Sequence, residues 1–135
     1  MIAAILAALL QGPAPPVITT IAEGATSNVE TARQVVVRTA DDWTQLWKSH
    51  APSQPPPAVD FRTTMVAAVF MGTRPTAGYR VRVTRARADA GALVVEYMET
   101  EPPRDAIAAQ MLTAPFHIVA IPKRDGDVRF QKTEK

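Results

Sequence analysis

The stretch VDFRTTMVAAVFMGTRPTAGYRVRVT, residues 59–84, decides the fold. Within Thr64 to Met71 apolar side chains stand at both parities, Met65, Ala67, Val69 and Met71 on one and Val66, Ala68 and Phe70 on the other. A strand wetted on one face alternates, so this unbroken run predicts a strand covered on both faces. Gly72, Pro75 and Gly78 then punctuate the chain and read as a turn. From Arg80 the pattern becomes strict alternation, Val81 and Val83 against Arg80 and Arg82, the mark of a half-buried strand. The expectation is a central hairpin, a buried strand and a second strand going back, with the rest of the chain as its cover.

Composition sets the outer limits. A chain of 135 residues suits one domain with a real core. Apolar content of 47% with 21% charged residues is ordinary globular composition, neither disordered nor membrane-like. A formal charge of +2 is too mild to imply a nucleic-acid partner. The absence of cysteine removes disulfides, thiolate metal sites, cysteine nucleophiles and lipidated cysteine anchors. The run MIAAILAALL, followed by Gln11, Gly12, Pro13, Ala14, Pro15 and Pro16, falls short of the roughly 20 apolar residues of a membrane span. It fits the apolar region of a signal peptide over residues 1–14, although no Lys or Arg precedes it. A buried first strand is the alternative. Export, periplasmic or extracellular, is the expectation that follows from the leader.

Around the central stretch, Val17–Ala22 and Arg33–Arg38 read as strands by residue type, separated by a small polar loop. Thr39–His50 is the one convincing helix. Thr39 with Asp42 three residues on is a capping-box variant, and Asp41 and Asp42 suit the positive end of the dipole. Trp43, Leu46, Trp47 and His50 fall at i, i+3, i+4 and i+7, a stripe to lay on a sheet. Ala51–Val59 carries four prolines and is an extended connector. Further on, Asp89-Ala90-Gly91 is a turn, Leu93–Met98 a strand, Arg104–Leu112 a helical turn or loop, and Phe116–Ile121 a strand apolar on both faces. Val128–Gln131 is a last edge strand, and Lys132–Lys135 is expected to fray. The fold class is mainly β with one helix: a twisted antiparallel sheet or a β-sandwich of about seven strands, residues 17–131, with helix 39–50 packed on it.

The residues themselves offer no catalytic chemistry. His50 and His117 have no second histidine or carboxylate at metal-ligand spacing and are expected to be structural. Ser27, Ser49 and Ser53 lie in no nucleophile motif, and Gly72, Gly78 and Gly91 open no phosphate loop. Glu96, Glu99, Glu101 and Asp105 could hold Ca²⁺ or do acid–base work, but a solvated strand end explains them more simply. Arg80 and Arg82 are expected on one strand face and Arg85 and Arg87 on the other, paired with the acidic strand that follows rather than forming one basic patch. No catalytic residue, metal or cofactor is expected.

Several segments stand in a telling order: WTQLW at Trp43–Trp47, PAVDF at Pro57–Phe61, MVAAVFMG at Met65–Gly72, RPTAGY at Arg74–Tyr79, Pro102, and LTAPFHIVAIP at Leu112–Pro122. Together they resemble the C-terminal domain of the protease-complex stability subunits, the PrcB-like proteins, over roughly Gly24 to Phe130. The resemblance implies an exported, non-catalytic protein that associates with and stabilises a secreted protease. One departure is Ala77, where members usually carry a first glycine; if that position needs a positive φ, alanine there costs stability. Pro75–Tyr79 is also similar to the P-T-T-G-Y loop of chagasin-type inhibitors of cysteine proteases, which implies inhibition as a second reading. The residues expected to touch a partner are Arg74, Pro75, Thr76, Gly78 and Tyr79, with Pro115 as a neighbour.

Overall fold

The computed structural model describes residues 15–134, so the leader expected at residues 1–14 lies outside the described residues. Among the described residues the elements are β1 (Thr19–Gly24), β2 (Arg33–Val37), α1 (Ala40–His50), β3 (Thr64–Phe70), β4 (Arg80–Asp89), β5 (Ala92–Thr100), β6 (Phe116–Pro122) and β7 (Val128–Thr133). They build a four-stranded antiparallel sheet in the order β1-β6-β3-β2 and a three-stranded sheet in the order β4-β5-β7. The helix lies on the outer face of the larger sheet. The molecule is a sandwich with one extra layer.

The two parities of β3 go to two different cores. Met65, Ala67 and Val69 meet Val81, Val83, Ala86, Leu93, Val95 and Tyr97 of the smaller sheet, joined by Val119 and Ile121 of β6. Val66, Ala68 and Phe70 meet Trp43, Leu46 and Trp47 of α1, joined by Phe116 and Ile118. Burying each such side chain contributes roughly 1.5–3 kcal/mol, so the β3–β6 pair anchors both cores.

The expected hairpin does not form. β3 is hydrogen-bonded to β2 on one side and β6 on the other, which leaves no ladder edge for β4. A strand covered on both faces sits inside its sheet, and the chain after it must leave. Residues 71–79 therefore cross to the second sheet, where β4 pairs with β5 instead. Two further differences concern β7. It pairs with β5 in parallel rather than antiparallel register, Leu93↔Val128 to Met98↔Thr133. It also runs to Thr133, held by a Lys132–Glu99 ion pair at 3.7 Å, so the fraying expected from residue 132 does not begin there.

The helix follows its sequence signals. Thr39 Oγ1 accepts the Asp42 N–H at 3.2 Å, and Trp43, Leu46, Trp47 and His50 are its buried residues. The proline connector is strapped to the helix by the same tryptophans. Trp43 Nε1 donates to the Pro57 carbonyl at 2.9 Å and Trp47 Nε1 to the Gln54 carbonyl at 3.1 Å. Prolines lack the N–H for a ladder, and the indoles satisfy two of the connector's carbonyls, one of them a proline's.

Both histidines are buried joints. His50 Nδ1 is 2.8 Å from Ser27 Oγ, and Ser27 Oγ accepts the Val29 N–H, which ties the 25–29 loop to the helix C-terminus. His117 joins the sheets: its Nδ1 accepts the Val83 N–H of β4 at 2.8 Å, and its Nε2 lies 2.9 Å from Thr20 Oγ1 of β1. The bond from Val83 assigns the ring proton to Nε2, which donates to Thr20. Burial lowers the pKa of both rings; for His117 Glu23 opposes the effect, and Arg82 and Arg80 add to it.

Two outcomes are expected. In the unfolded chain histidine titrates near 6.5, and in the folded protein both sit lower. Between those values the unfolded chain binds more protons, so stability present above 6.5 is lost as pH falls below it. The slope is at most about 1.4 kcal/mol per pH unit for each ring. Urea unfolding at about pH 7.5 and about pH 5.5 measures it, and His117→Asn, which keeps an acceptor for Val83, flattens it. The second outcome concerns the β4–β5 turn, where Ala90 (φ 52°) and Gly91 (φ 85°) both adopt positive φ. Asparagine tolerates that conformation better than alanine, so Ala90→Asn stabilises the fold by about 1 kcal/mol in the same assay.

Candidate functional site

Three loops meet at one end of the sandwich: residues 25–32, residues 71–79 and residues 101–115. The sequence brings them together by small residues and backbone bonds. Gly72 takes φ 83°, and a side chain there would sit 2.9 Å from the Ala32 nitrogen. The Thr73 N–H donates to the Glu30 carbonyl at 3.0 Å, and the Ala114 N–H to the Ala25 carbonyl at 2.8 Å. Arg74 and Thr113 exchange both backbone bonds, at 2.7 and 2.9 Å, and the Ala77 N–H donates to the Ala109 carbonyl at 3.0 Å. Thr113 Oγ1 completes the lacing by donating to the Thr76 carbonyl at 2.9 Å.

The six residues expected to touch a partner divide in this frame. Pro75 and Gly78 are exposed; Arg74, Thr76 and Tyr79 are half-buried. Pro115 is buried, and its carbonyl accepts the Met71 N–H at 2.9 Å. It supports the loop end from beneath and presents no outer face. Tyr79 packs on the inter-sheet core, and the Arg74 guanidinium lies 5.7 Å from its ring centre. Arg74 Nε is buried without a hydrogen-bond partner, so a substitution there disturbs packing as well as contact. The position left in doubt by its alanine resolves simply. Ala90 is the one non-glycine residue at positive φ among the described residues, so Ala77 is unstrained, while Gly78 takes φ 98°.

What sequence reasoning missed is the other half of this surface. Ile107, Met111 and Leu112 are exposed by 103%, 53% and 73%, on a segment with no regular structure. With Ala77, Gly78, Pro102 and Pro103, Ile107 lines a shallow apolar trough. The signal was present in AIAAQML at 106–112, which has an amphipathic helix's composition but no partner stripe; it reads as a weak helix unless its exposure is known.

The arginines also fall differently from expectation. The β4–β5 register shifts between Val83 and Arg85, so Arg82 pairs with Met98, Arg85 with Glu96 and Arg87 with Val94. Those three β5 residues alternate on one face, which brings Arg80, Arg82, Arg85 and Arg87 together on the outside of the sheet. Glu96 Oε2 accepts from Arg87 Nε at 2.6 Å and Arg85 Nε at 2.8 Å, and these bonds hold its carboxyl below the usual carboxylate range. Glu23 takes Arg80 and Arg82 at 3.4 and 3.8 Å. The expected pairing with the acidic strand holds for Arg85 and Arg87 through Glu96, whereas Arg80 and Arg82 pair instead with Glu23 of β1. Among the described residues no group of three or more His, Cys, Asp or Glu is placed to hold a metal ion.

Loop geometry can be tested apart from any partner. A side chain at Gly78 would meet Pro102 Cβ at 2.8 Å in addition to the φ cost. Gly78→Ala therefore loses more than about 1 kcal/mol of stability, whereas Ala77→Gly gains none and loses about 0.5 kcal/mol through unfolded-state entropy. Urea midpoints of the two variants decide it.

The family model described as PrcB C-terminal matches residues 65–122. The matched stretch runs from β3 through β6 and contains both the 71–79 and the 101–115 loops; it is narrower than the Gly24–Phe130 span of the motif resemblance. No curated protein and no solved structure matches the chain. No comparison supports the inhibitor likeness, and the 74–79 loop, laced to residues 109–113, is not a free-standing loop. Over Met65–Pro122 the chain matches the PrcB C-terminal family model, which is consistent with a PrcB-like protein.

Proposed function

We propose that this protein is an exported, non-catalytic interaction domain that accompanies and stabilises a protease. The partner docks on the loop end, where Pro75, Thr76, Gly78 and the edge of Tyr79 stand beside Ile107, Met111 and Leu112. One observation carries the reading: three large apolar side chains stay exposed on a segment whose backbone is bonded to the 74–79 loop, inside the family match. Apolar exposure repeated along one segment marks contact surfaces, because leaving it in water costs free energy that a partner recovers. The partner's contribution is an apolar segment seated in the trough between Gly78 and Ile107.

The decisive experiment is an affinity pull-down from the native secreted fraction with the wild-type protein and with Ile107→Asp/Leu112→Asp. Both positions are exposed, so the double variant folds normally. The expected result is an active protease recovered by wild type and reduced at least about tenfold with the variant, the scale of two lost anchors. A protease recovered but silenced replaces stabilisation with inhibition. Full recovery by the variant removes the docking surface.

A further inference from the structure

Among the described residues the larger sheet ends in β1 and β2, the smaller in β4 and β7. An edge strand presents unpaired backbone N–H and C=O groups, and natural proteins blunt such edges with bulges, charges or cover. Three of the four edges here carry a bulge or two or more charges. β1 is bulged between Thr20 and Ala22. β4 is bulged after Val83, bears four arginines, and has its Val83 N–H taken by His117. β7 bears Arg129 and Lys132. β2 is the least protected: its register with β3 is unbroken from Arg33↔Phe70 to Val37↔Val66, it has no bulge or proline, and Arg33 at its end is its one charge in the β-rich run RQVVV.

Beside β2 runs an open groove lined by Arg33, Val35, Val37, Asp42, Gln45 and Ser49. No β3 residue lines it, so it opens on the free side of the strand. Val35 and Val37 pack toward α1, and alternation puts Arg33 on that same face. The helix runs back along the strand: the His50 ring lies 5.9 Å from Phe70, the residue paired with Arg33, while Asp42 follows Val37 closely in the chain. The groove is thus cationic at the Arg33 end and anionic at the Asp42 end. Among the described residues neither Arg33 nor Asp42 takes part in an ion pair.

We propose that β2 pairs antiparallel with β2 of a second copy, about a two-fold axis at Val35, joining the two four-stranded sheets into one. Two-fold pairing is self-complementary: it sets Arg33 of each copy at the Val37 end of the other, against Asp42. The axis stands perpendicular to the sheet, so both helices lie on one face and two Arg33–Asp42 pairs close the seam. Val35 meets Val35 at its centre. The seam leaves the loop end of each copy free, so this reading stands apart from the docking surface above. Five residues and one helix flank make less than a standard interface of about 1,600 Å², so a dissociation constant on the order of ten micromolar is expected.

Sedimentation equilibrium of the purified protein, from about 1 µM to about 500 µM, tests it with three variants. Wild type is expected to move from monomer to dimer across that range. Arg33→Glu alone and Asp42→Arg alone each weaken the dimer about tenfold, because each reverses two symmetry-related pairs at once. The combined Arg33→Glu/Asp42→Arg variant restores it, which a merely misfolded variant cannot do. A wild-type protein monomeric throughout overturns the proposal. So does a dimer indifferent to both single changes, or one that the double change fails to restore.

Discussion

Everything in this molecule depends on β3 and β6 being apolar on both faces. Two adjacent strands of this kind cannot lie at a surface, so the chain must supply two covers, and it supplies different ones. Toward the smaller sheet the cover is mostly aliphatic, built from Val81, Val83, Leu93 and Val95 with Tyr97 among them. Toward the helix it is aromatic, with Trp43, Trp47 and His50 against Phe70 and Phe116. Once both faces are closed, the edges of β3 are also taken, and the next strand has to begin a new sheet.

That forced crossing makes the loop end. Residues 71–79 leave one sheet and enter the other, and they do it against residues 101–115, which make the return journey between the same two sheets. Two crossings side by side lace together by backbone bonds, and their side chains are left over for contact. The apolar exposure of Ile107, Met111 and Leu112 sits where the fold places least demand on side-chain identity. A scaffold with two closed cores can hold such a surface without risk to its own stability.

Much of the architecture was legible from residue pattern. The double parity of β3 and β6, the cap at Thr39, the Trp43-Leu46-Trp47 stripe and the 89–91 turn each follow from local rules. What failed were relations between elements. Glycine and proline after β3 signal a turn, but a turn signal does not say whether the strands it joins will pair. The parallel β5–β7 register has no local signature either. The arginine face was misread for a related reason: one bulged residue near Thr84 reverses the parity of everything beyond it. At the loop end, RPTAGY stood out because its residue types are unusual, whereas AIAAQML did not, because exposure is not written in composition.

The seam at His117 has a consequence for how the chain reaches this state. Thr20 and His117, joined side chain to side chain, stand 97 positions apart. β1 has no partner in its own sheet until β6 exists, and β5 has its parallel neighbour only when β7, the last strand, arrives. A chain delivered end first therefore spends most of its delivery with an unpaired first strand and two half-built cores. Such topology makes folding slow, because both cores close only when β6 and β7 have joined their sheets. Until then β3 and β6 are adhesive segments, so any holding factor that the nascent chain requires must act on them.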